Sequence, residues 1–205
     1  WRIDAVITTI KFLLEKGAKV LLLSHRGRPE AIYSLKNGEM SLLKGKNFHL
    51  KEYSLKFEHE ILEKKLSTRI RFFDYTDFKN LSGAFREALA GSLFLLENLR
   101  FVDGEALNDL NLAKTLASLG DVYVNDAFAV SHRANASMEA ITKFLPSYAG
   151  LNLEKEMQYL GDVGLNSRRP LISIVGGKKV EGRIDIIEGL LLLSDLVLIG
   201  GGMAA

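Results

Sequence analysis

Apolar residues Ile3, Val6, Ile7, Ile10, Leu13 and Leu14 recur three and four positions apart, which places them on one face of a helix, and Gly17 follows as a plausible C-cap. The period then changes. Residues 19–24 form a short apolar run that predicts a buried strand. This helix-then-strand alternation repeats, with a helix around 58–66, a strand at 69–73, a helix around 81–89 and a strand at 92–96. A helix around 110–119 and a strand at 121–125 complete the series. Strands that read as continuous apolar runs between amphipathic helices predict an α/β fold, a three-layer parallel sheet with helices on both faces.

A further helix is expected at about 151–163, with its charge on one face, followed by the polar stretch 164–169 and Pro170. A new strand-helix-strand unit starts there, at 171–175, 184–193 and 196–199. Polar, Gly- and Pro-bearing stretches are where domains part. The expected division is therefore a first domain at 1–150, a helix and linker at 151–167, and the start of a second α/β domain at 168–205. Residues 30–50 are rich in Lys, Asn and Gly without a clean period and read as an extended loop. Tyr-Ser-Leu-Lys occurs twice, at 33–36 and 53–56, with nothing matching around the copies, so no repeat unit is inferred.

Composition narrows the picture. With 205 residues, 47% hydrophobic and 25% charged, the chain can bury a substantial core, which argues against disorder. Lys and Arg number 27 against 25 Asp and Glu, so a net charge of +2 gives no bulk electrostatic case for nucleic acid or an anionic membrane. Positive charge must act locally. Cysteine is absent, which removes disulfides and thiolate metal sites and suits a cytoplasmic protein, and the four histidines lie too far apart for a metal cluster. The longest apolar stretches fall short of a membrane span. Trp1 opens directly on a helical pattern and the chain stops inside an expected loop, so both ends are expected to be internal to a longer protein.

In an open parallel sheet, ligands bind beyond the carboxyl ends of the strands. Ser24-His25-Arg26-Gly27-Arg28-Pro29 follows one strand, Glu97-Asn98-Leu99-Arg100-Phe101 another, and 126–134 with His132 and Arg133 a third. The strand ends thus deliver His25, Arg26, Arg28, Arg100, His132 and Arg133 toward one rim. Converging guanidiniums repel unless an anion lies between them, so the rim predicts a small, multiply charged anion. Any one of these arginines taken alone is more often an ordinary solvated residue, and their placement at strand ends is what shifts the balance. His25 reads as an anion donor rather than an acid-base group, and His132 could equally be a packed loop residue. Asp126 reads as turn chemistry.

A second constellation is Val175-Gly176-Gly177-Lys178-Lys179, with Arg183 four residues beyond Lys179 and so on the same helical face. Glycines after a strand let backbone approach a phosphate, and the helix that follows offers its first NH groups. The spacing is neither that of a Walker loop nor of a dinucleotide-binding fingerprint. Gly200-Gly201-Gly202 ends another strand, where small residues would let a flat ring lie on backbone.

Taken in order, these segments resemble the phosphoglycerate kinase family. The matching pieces are Arg2-Ile3-Asp4-Ala5, Leu23 to Pro29, Leu96 to Phe101, Val124 to Phe128 with His132-Arg133-Ala134, then 150–159, 175–184 and 199–204. The resemblance implies a Rossmann-like phosphoglycerate kinase fold and reversible phosphoryl transfer between 1,3-bisphosphoglycerate and ADP, giving 3-phosphoglycerate and ATP in glycolysis. It implies that Arg2, His25, Arg26, Gly27, Arg28, Arg100 and Arg133 hold the phosphoglycerate, and that Arg2 also stabilises the transferring group. It assigns Gly177, Lys178, Lys179 and Arg183 to the nucleotide phosphates, with Arg183 counted as catalytic, and Gly200, Gly201 and Gly202 to the adenosine pocket. Magnesium is expected as Mg-ATP or Mg-ADP, with its protein ligand outside this chain. A cytoplasmic monomer with a hinge-bending interdomain helix is expected, with neither nucleic acid nor membrane as partner.

Several positions depart from the family pattern. Arg183 stands where the family has a second lysine, Lys178 replaces a small residue, Ala129 replaces a usual glycine, and Asn135 a common second histidine. The loop at 30–50 is longer than the family normally shows. The first strand and most of the nucleotide domain would lie beyond the two ends, so this chain alone is not expected to turn over. One alternative is a divergent module that binds phosphoglycerate or another anion without transferring phosphate. Another, a dehydrogenase-like protein using Gly200 to Gly202 for a cofactor, leaves the ordered arginines unexplained.

Overall fold

The computed structural model describes residues 2–36, 39–43, 50–177 and 184–203. The chain divides into two compact units, Trp1–Glu154 and Lys155–Ala205.

The first unit is built around a parallel three-stranded sheet in the order β1 (Val20–Leu22), β5 (Leu93–Leu96), β4 (Ile70–Phe73). All four residues of the central β5, Leu-Phe-Leu-Leu, are buried. Side chains alternate across a strand, and the alternation separates two cores. Leu93 and Leu95 join Ile10, Val20, Leu62, Leu66 and Ile70, beneath helices α1 (Arg2–Glu15) and α3 (Lys56–Leu66). Phe94 and Leu96 join Phe73, Leu81, Leu112 and Leu116, beneath α4 (Phe78–Glu87) and α6 (Leu110–Ala117). Helices thus cover both faces, which is why β5 lacks the alternating polar residues of a half-exposed strand. Local caps set the helix ends. Asp109 accepts a hydrogen bond from the Leu112 N–H at 2.7 Å to start α6, and Ser67 closes α3 in a left-handed conformation.

The stretch at 30–50 departs from the expected loop. It contains an antiparallel hairpin, β2 (Tyr33–Lys36) with β3 (Glu39–Leu42), and α2 (Leu50–Tyr53) follows it. The hairpin is held by its surroundings rather than by a strand-like period. The Ile32 N–H donates to Phe101 O at 2.7 Å, Tyr33 bridges to Val102, and the Tyr33 ring packs 5.2 Å from that of Tyr75. A second small parallel pair, β6 (Tyr123–Asn125) with β7 (Ser147–Ala149), brings the end of β6 to Gly150. Helix α5 (Asp103–Ala106) is too short to carry a periodic signal.

Helix α7 (Leu151–Leu165) begins in the first unit and the chain runs through it into the second. The second unit pairs β8 (Ile172–Gly177) with β9 (Leu196–Gly201) in parallel, connected through α8 (Ile184–Leu193). Large apolar side chains remain exposed on it, among them Ile174 at 78% and Leu192 at 89%. Its polar anchor is Asp195, which accepts from Arg169 at 2.9 Å and from the Leu171 N–H at 2.7 Å. Among the described residues no helix is long and apolar enough to cross a membrane.

Candidate functional site

In the first unit, the end of β5 organises the rim. Asn98 has no exposed surface. Its amide donates to Arg26 O and to Tyr53 O, both at 2.8 Å, while its Oδ1 accepts from the Arg100 N–H at 3.1 Å. Glu97 does similar work one residue earlier. Its carboxylate accepts from Ser54 Oγ at 2.6 Å, Leu55 N–H at 2.8 Å and Asn98 N–H at 2.8 Å, and its carbonyl accepts from Tyr75 Oη at 3.0 Å. Leu99 N–H adds a bond to Ser24 O at 3.1 Å. The buried amide therefore staples the loop after β1 to the turn after β5, and the buried carboxylate holds residues 54–55 against that same turn.

The staple holds the loop of Arg26 and Arg28 beside Arg100. Burial, then the positive charges of Arg133 and Arg28, lower the pKa of Arg100, and Glu105 opposes them. Arg28 and Arg133, from two other strand ends, are thus each close enough to Arg100 to repel its charge. Arg100 Nη1 also donates to Gly27 O, which holds its guanidinium over the first loop. Gly27 has φ +61°, and a Cβ there would meet the Tyr53 ring at 2.4 Å, so both backbone and packing demand glycine.

The other expected residues are placed as follows. Arg26 pairs with Glu58 at 3.0 Å and lies over the Phe57 ring, so its guanidinium already has a counter-ion while its carbonyl anchors Asn98. His25 follows Ser24 in the same loop. Arg2 opens α1, but its side chain lies outside the described residues, as do Lys178, Lys179 and Arg183 altogether. His132 and Arg133 occupy a tight loop that begins when Asn125 Oδ1 accepts from the Ala127 N–H at 2.9 Å and is crossed by Asn125 Nδ2 donating to Ser131 Oγ at 3.1 Å.

Asp126 takes part in a helix start rather than only a turn. Its Oδ1 accepts from Asn152 N–H at 2.9 Å and Leu153 N–H at 3.0 Å, two of the free donors in the first turn of α7. Sequence spacing gives no sign of this bond, because cap and helix lie more than two dozen residues apart. Glu97, Asn98 and Glu105 likewise carry no site signature in the sequence beyond the motif that contains the first two.

In the second unit, β8 and β9 end side by side on glycines, with Gly176 opposite Gly200 and Gly177 opposite Gly201. Gly201 has φ +67°, and a Cβ on it would meet Gly177 O at 3.2 Å. The two strand ends therefore present a strip of bare backbone, with Gly202 in the turn that follows. Among the described residues no three His, Asp or Glu side chains are grouped to hold a metal ion.

A parallel sheet covered on both faces, with Arg28 and Arg100 following two of its strands and Arg133 following β6 of the small second pair, defines an α/β protein with a concentrated positive rim. The chain belongs to the phosphoglycerate kinase family, whose profile, described as phosphoglycerate kinase, matches residues 1–205. Phosphoglycerate kinase of Borrelia garinii is 41% identical over 99% of this chain and 48% of its own length. Phosphoglycerate kinase 1, chloroplastic, of Arabidopsis thaliana is 43% identical over 98% of this chain and 39% of its own. The solved phosphoglycerate kinase of Coxiella burnetii superposes with a TM-score of 0.77 at 34% identity, covering 99% of this chain and 47% of that one. That of Pyrococcus horikoshii OT3 gives 0.80 at 28%, covering 99% and 48%. The chain spans about half the length of the relatives it matches.

Proposed function

We propose that this chain provides the acid-substrate side of a kinase that transfers a phosphoryl group reversibly between 1,3-bisphosphoglycerate and ADP, giving 3-phosphoglycerate and ATP, as a step of glycolysis in the cytoplasm. The observation that carries the reading is Arg100 held beside Arg28 and Arg133, an arrangement unfavourable without a multiply charged anion. A carboxylate and a phosphate on one three-carbon ligand supply that charge at two points.

In this reading Arg28, Arg100 and Arg133 bind phosphoglycerate, with His25 and the Gly27 loop beside them. Arg2 neutralises charge on the group in transfer, where alignment and charge compensation supply most of the catalysis. The glycine strip of β8 and β9, with Lys178, Lys179 and Arg183, takes the nucleotide. A magnesium ion bound with the nucleotide would supply counter-charge to its phosphates, and no group of three His, Asp or Glu side chains among the described residues would hold it. The enzyme works as a monomer whose hinge lies at α7 between the domains at 1–150 and 168–205.

The test is calorimetric titration of the full-length gene product with 3-phosphoglycerate and with Mg-ADP, followed by a coupled ATP-dependent assay. Binding of both with turnover is the expected result. Binding of 3-phosphoglycerate without turnover selects a non-catalytic anion-binding module. Failure to bind it overturns the assignment. Within an active protein, Arg183→Lys should change kcat more than nucleotide affinity, and the reverse pattern would count against a role at the transferring phosphate.

A further inference from the structure

Glu105 is a buried carboxylate that stands behind the rim without belonging to it. It lies on α5, five residues after Arg100, and is only 4% exposed. Carboxylates are seldom buried to that extent unless their oxygens are fully engaged. Here Oε1 accepts from Ser137 Oγ at 2.7 Å and Oε2 from Ser137 N–H at 3.1 Å, while the Glu105 carbonyl accepts from Ala136 N–H at 3.0 Å. Three residues on, Asn108 Oδ1 accepts from Ala140 N–H at 3.1 Å. All four bonds join one short segment, 105–108, to another, 136–140.

Each segment lies next to an arginine of the rim. Arg100 is in the 3-10 turn Leu99–Phe101, and α5 continues from it through the Val102 N–H bond to Leu99 O and the Glu105 N–H bond to Val102 O. Arg133 comes three residues before Ala136, in a turn closed by Arg133 N–H to Val130 O and Asn135 N–H to Arg133 O, each at 3.0 Å. The path from Arg100 to Arg133 through chain and clamp is therefore short and made of turns that leave little slack.

The charge of Glu105 matters as well as its reach. It opposes the repulsion that Arg28 and Arg133 exert on Arg100; burial raises its own pKa, and hydrogen bonds from Ser137 and the Asn135 side chain, with the charge of Arg100, work against that rise. A neutral side chain could tie two loops together. A carboxylate also holds a counter-charge behind a rim that must stay assembled before its ligand arrives.

We propose that Glu105, through Ser137, is a positioning residue that sets the separation of Arg100 and Arg133 and so tunes the rim to a ligand with two anionic groups at fixed spacing. The inference rests on the phosphoglycerate reading of the rim for the name of that ligand, but not for the clamp itself.

The experiment compares Glu105→Gln, Ser137→Ala and the double variant in the full-length protein, by titration with 3-phosphoglycerate, with sulfate and with Mg-ADP. Glu105→Gln keeps the shape but loses one acceptor and the charge. Ser137→Ala keeps the charge and removes one bond of the clamp, with the milder risk to folding. Each single variant should weaken 3-phosphoglycerate about tenfold, and the double variant little more, because the two residues act as one unit. Sulfate, with one anionic centre, should weaken less than threefold, and Mg-ADP should be unchanged. A general loss of structure would instead lower all three together. Unchanged or tighter 3-phosphoglycerate binding in both single variants overturns the proposal, as does an equal loss for sulfate. Should the unsubstituted protein bind sulfate but not 3-phosphoglycerate, the substrate reading fails and the clamp is scored with pyrophosphate, a two-centre anion, against sulfate. Binding of no anion overturns both.

Discussion

Asp126 fills the space that any side chain at residue 150 would need: a Cβ on Gly150 would meet Asp126 Oδ1 at 2.3 Å and its Cγ at 2.5 Å. The same oxygen receives the Asn152 and Leu153 N–H groups in the first turn of α7, so glycine and carboxylate together help to fix where that helix begins. Gly150 N–H completes the junction by donating to Asn125 O at 2.7 Å. The end of β6 is thereby joined to the start of α7, and the loop carrying Arg133 leaves from the same strand end.

Gly150→Ala should therefore destabilise by about 1–3 kcal/mol, as an overpacked site does, although alanine ordinarily favours helices. Asp126→Ala should cost about 1–2 kcal/mol through the lost cap. In chemical denaturation the double variant should be less than additive, since removing the carboxyl makes room for the methyl group. Full additivity would show that the two do not share the space.

Gly27→Ala meets two obstacles, a left-handed backbone and the Tyr53 ring at 2.4 Å. Strain of about 1–2 kcal/mol from the backbone alone is expected. Because the Gly27 carbonyl accepts from Arg100, the displacement should reach the rim. The variant should lose affinity for 3-phosphoglycerate while retaining that for Mg-ADP, and equal losses in calorimetry would point to unfolding instead.

Removing an arginine from the rim should separate stability from binding. Arg133→Ala relieves the repulsion on Arg100, so the unliganded protein should be as stable as before or slightly more so. Affinity for 3-phosphoglycerate should nevertheless fall by about 1.5–3 kcal/mol, the range for a hydrogen bond to a charged group. Loss of unliganded stability together with unchanged affinity would place Arg133 in the scaffold.

Glu105 also makes a pH signature. Burial raises its pKa above the ordinary 4.5, and the hydrogen bonds from Ser137 and Asn135, with the charge of Arg100, pull it down without cancelling the shift. Tyr75 and Tyr123 face it too, and burial followed by the charge of Glu105 raises both, Tyr123 to about 12. The folded state holds the Glu105 proton more tightly than the unfolded state. Its contribution to stability is thus fully present below pH 4.5 and is lost as pH rises through the folded value. Wild-type stability should fall relative to that of Glu105→Gln across this window, measured by denaturant titration. A difference independent of pH would sink this account.

Much of the scaffold was legible in the chain. The apolar run of β5 and the 3.6-residue period of α1 each state their own local preference, and burial on both faces of a parallel sheet suits an unbroken run. The arginines could be assigned to strand ends for the same reason, since a strand boundary is a local event. The two copies of Tyr-Ser-Leu-Lys mark the limit. One forms β2, while the other passes from the end of α2 into the start of α3. The difference lies in what each copy meets: the first meets Val102 and the Tyr75 ring, and the second meets the Glu97 carboxylate and the Asn98 amide.

The sequence by itself determined the main alternation of helices and strands, the parallel sheet and which loops carry positive charge, because these follow from periodicity and chain connectivity. Only the tertiary structure decided that Arg28 and Arg133 come close enough to act on Arg100, that Arg26 is drawn to Glu58, and that Asp126 caps a helix from outside it. Those relations depend on distances between residues far apart in the chain. Packing and the buried hydrogen bonds of Glu97, Asn98 and Glu105 set those distances, and no local pattern records them.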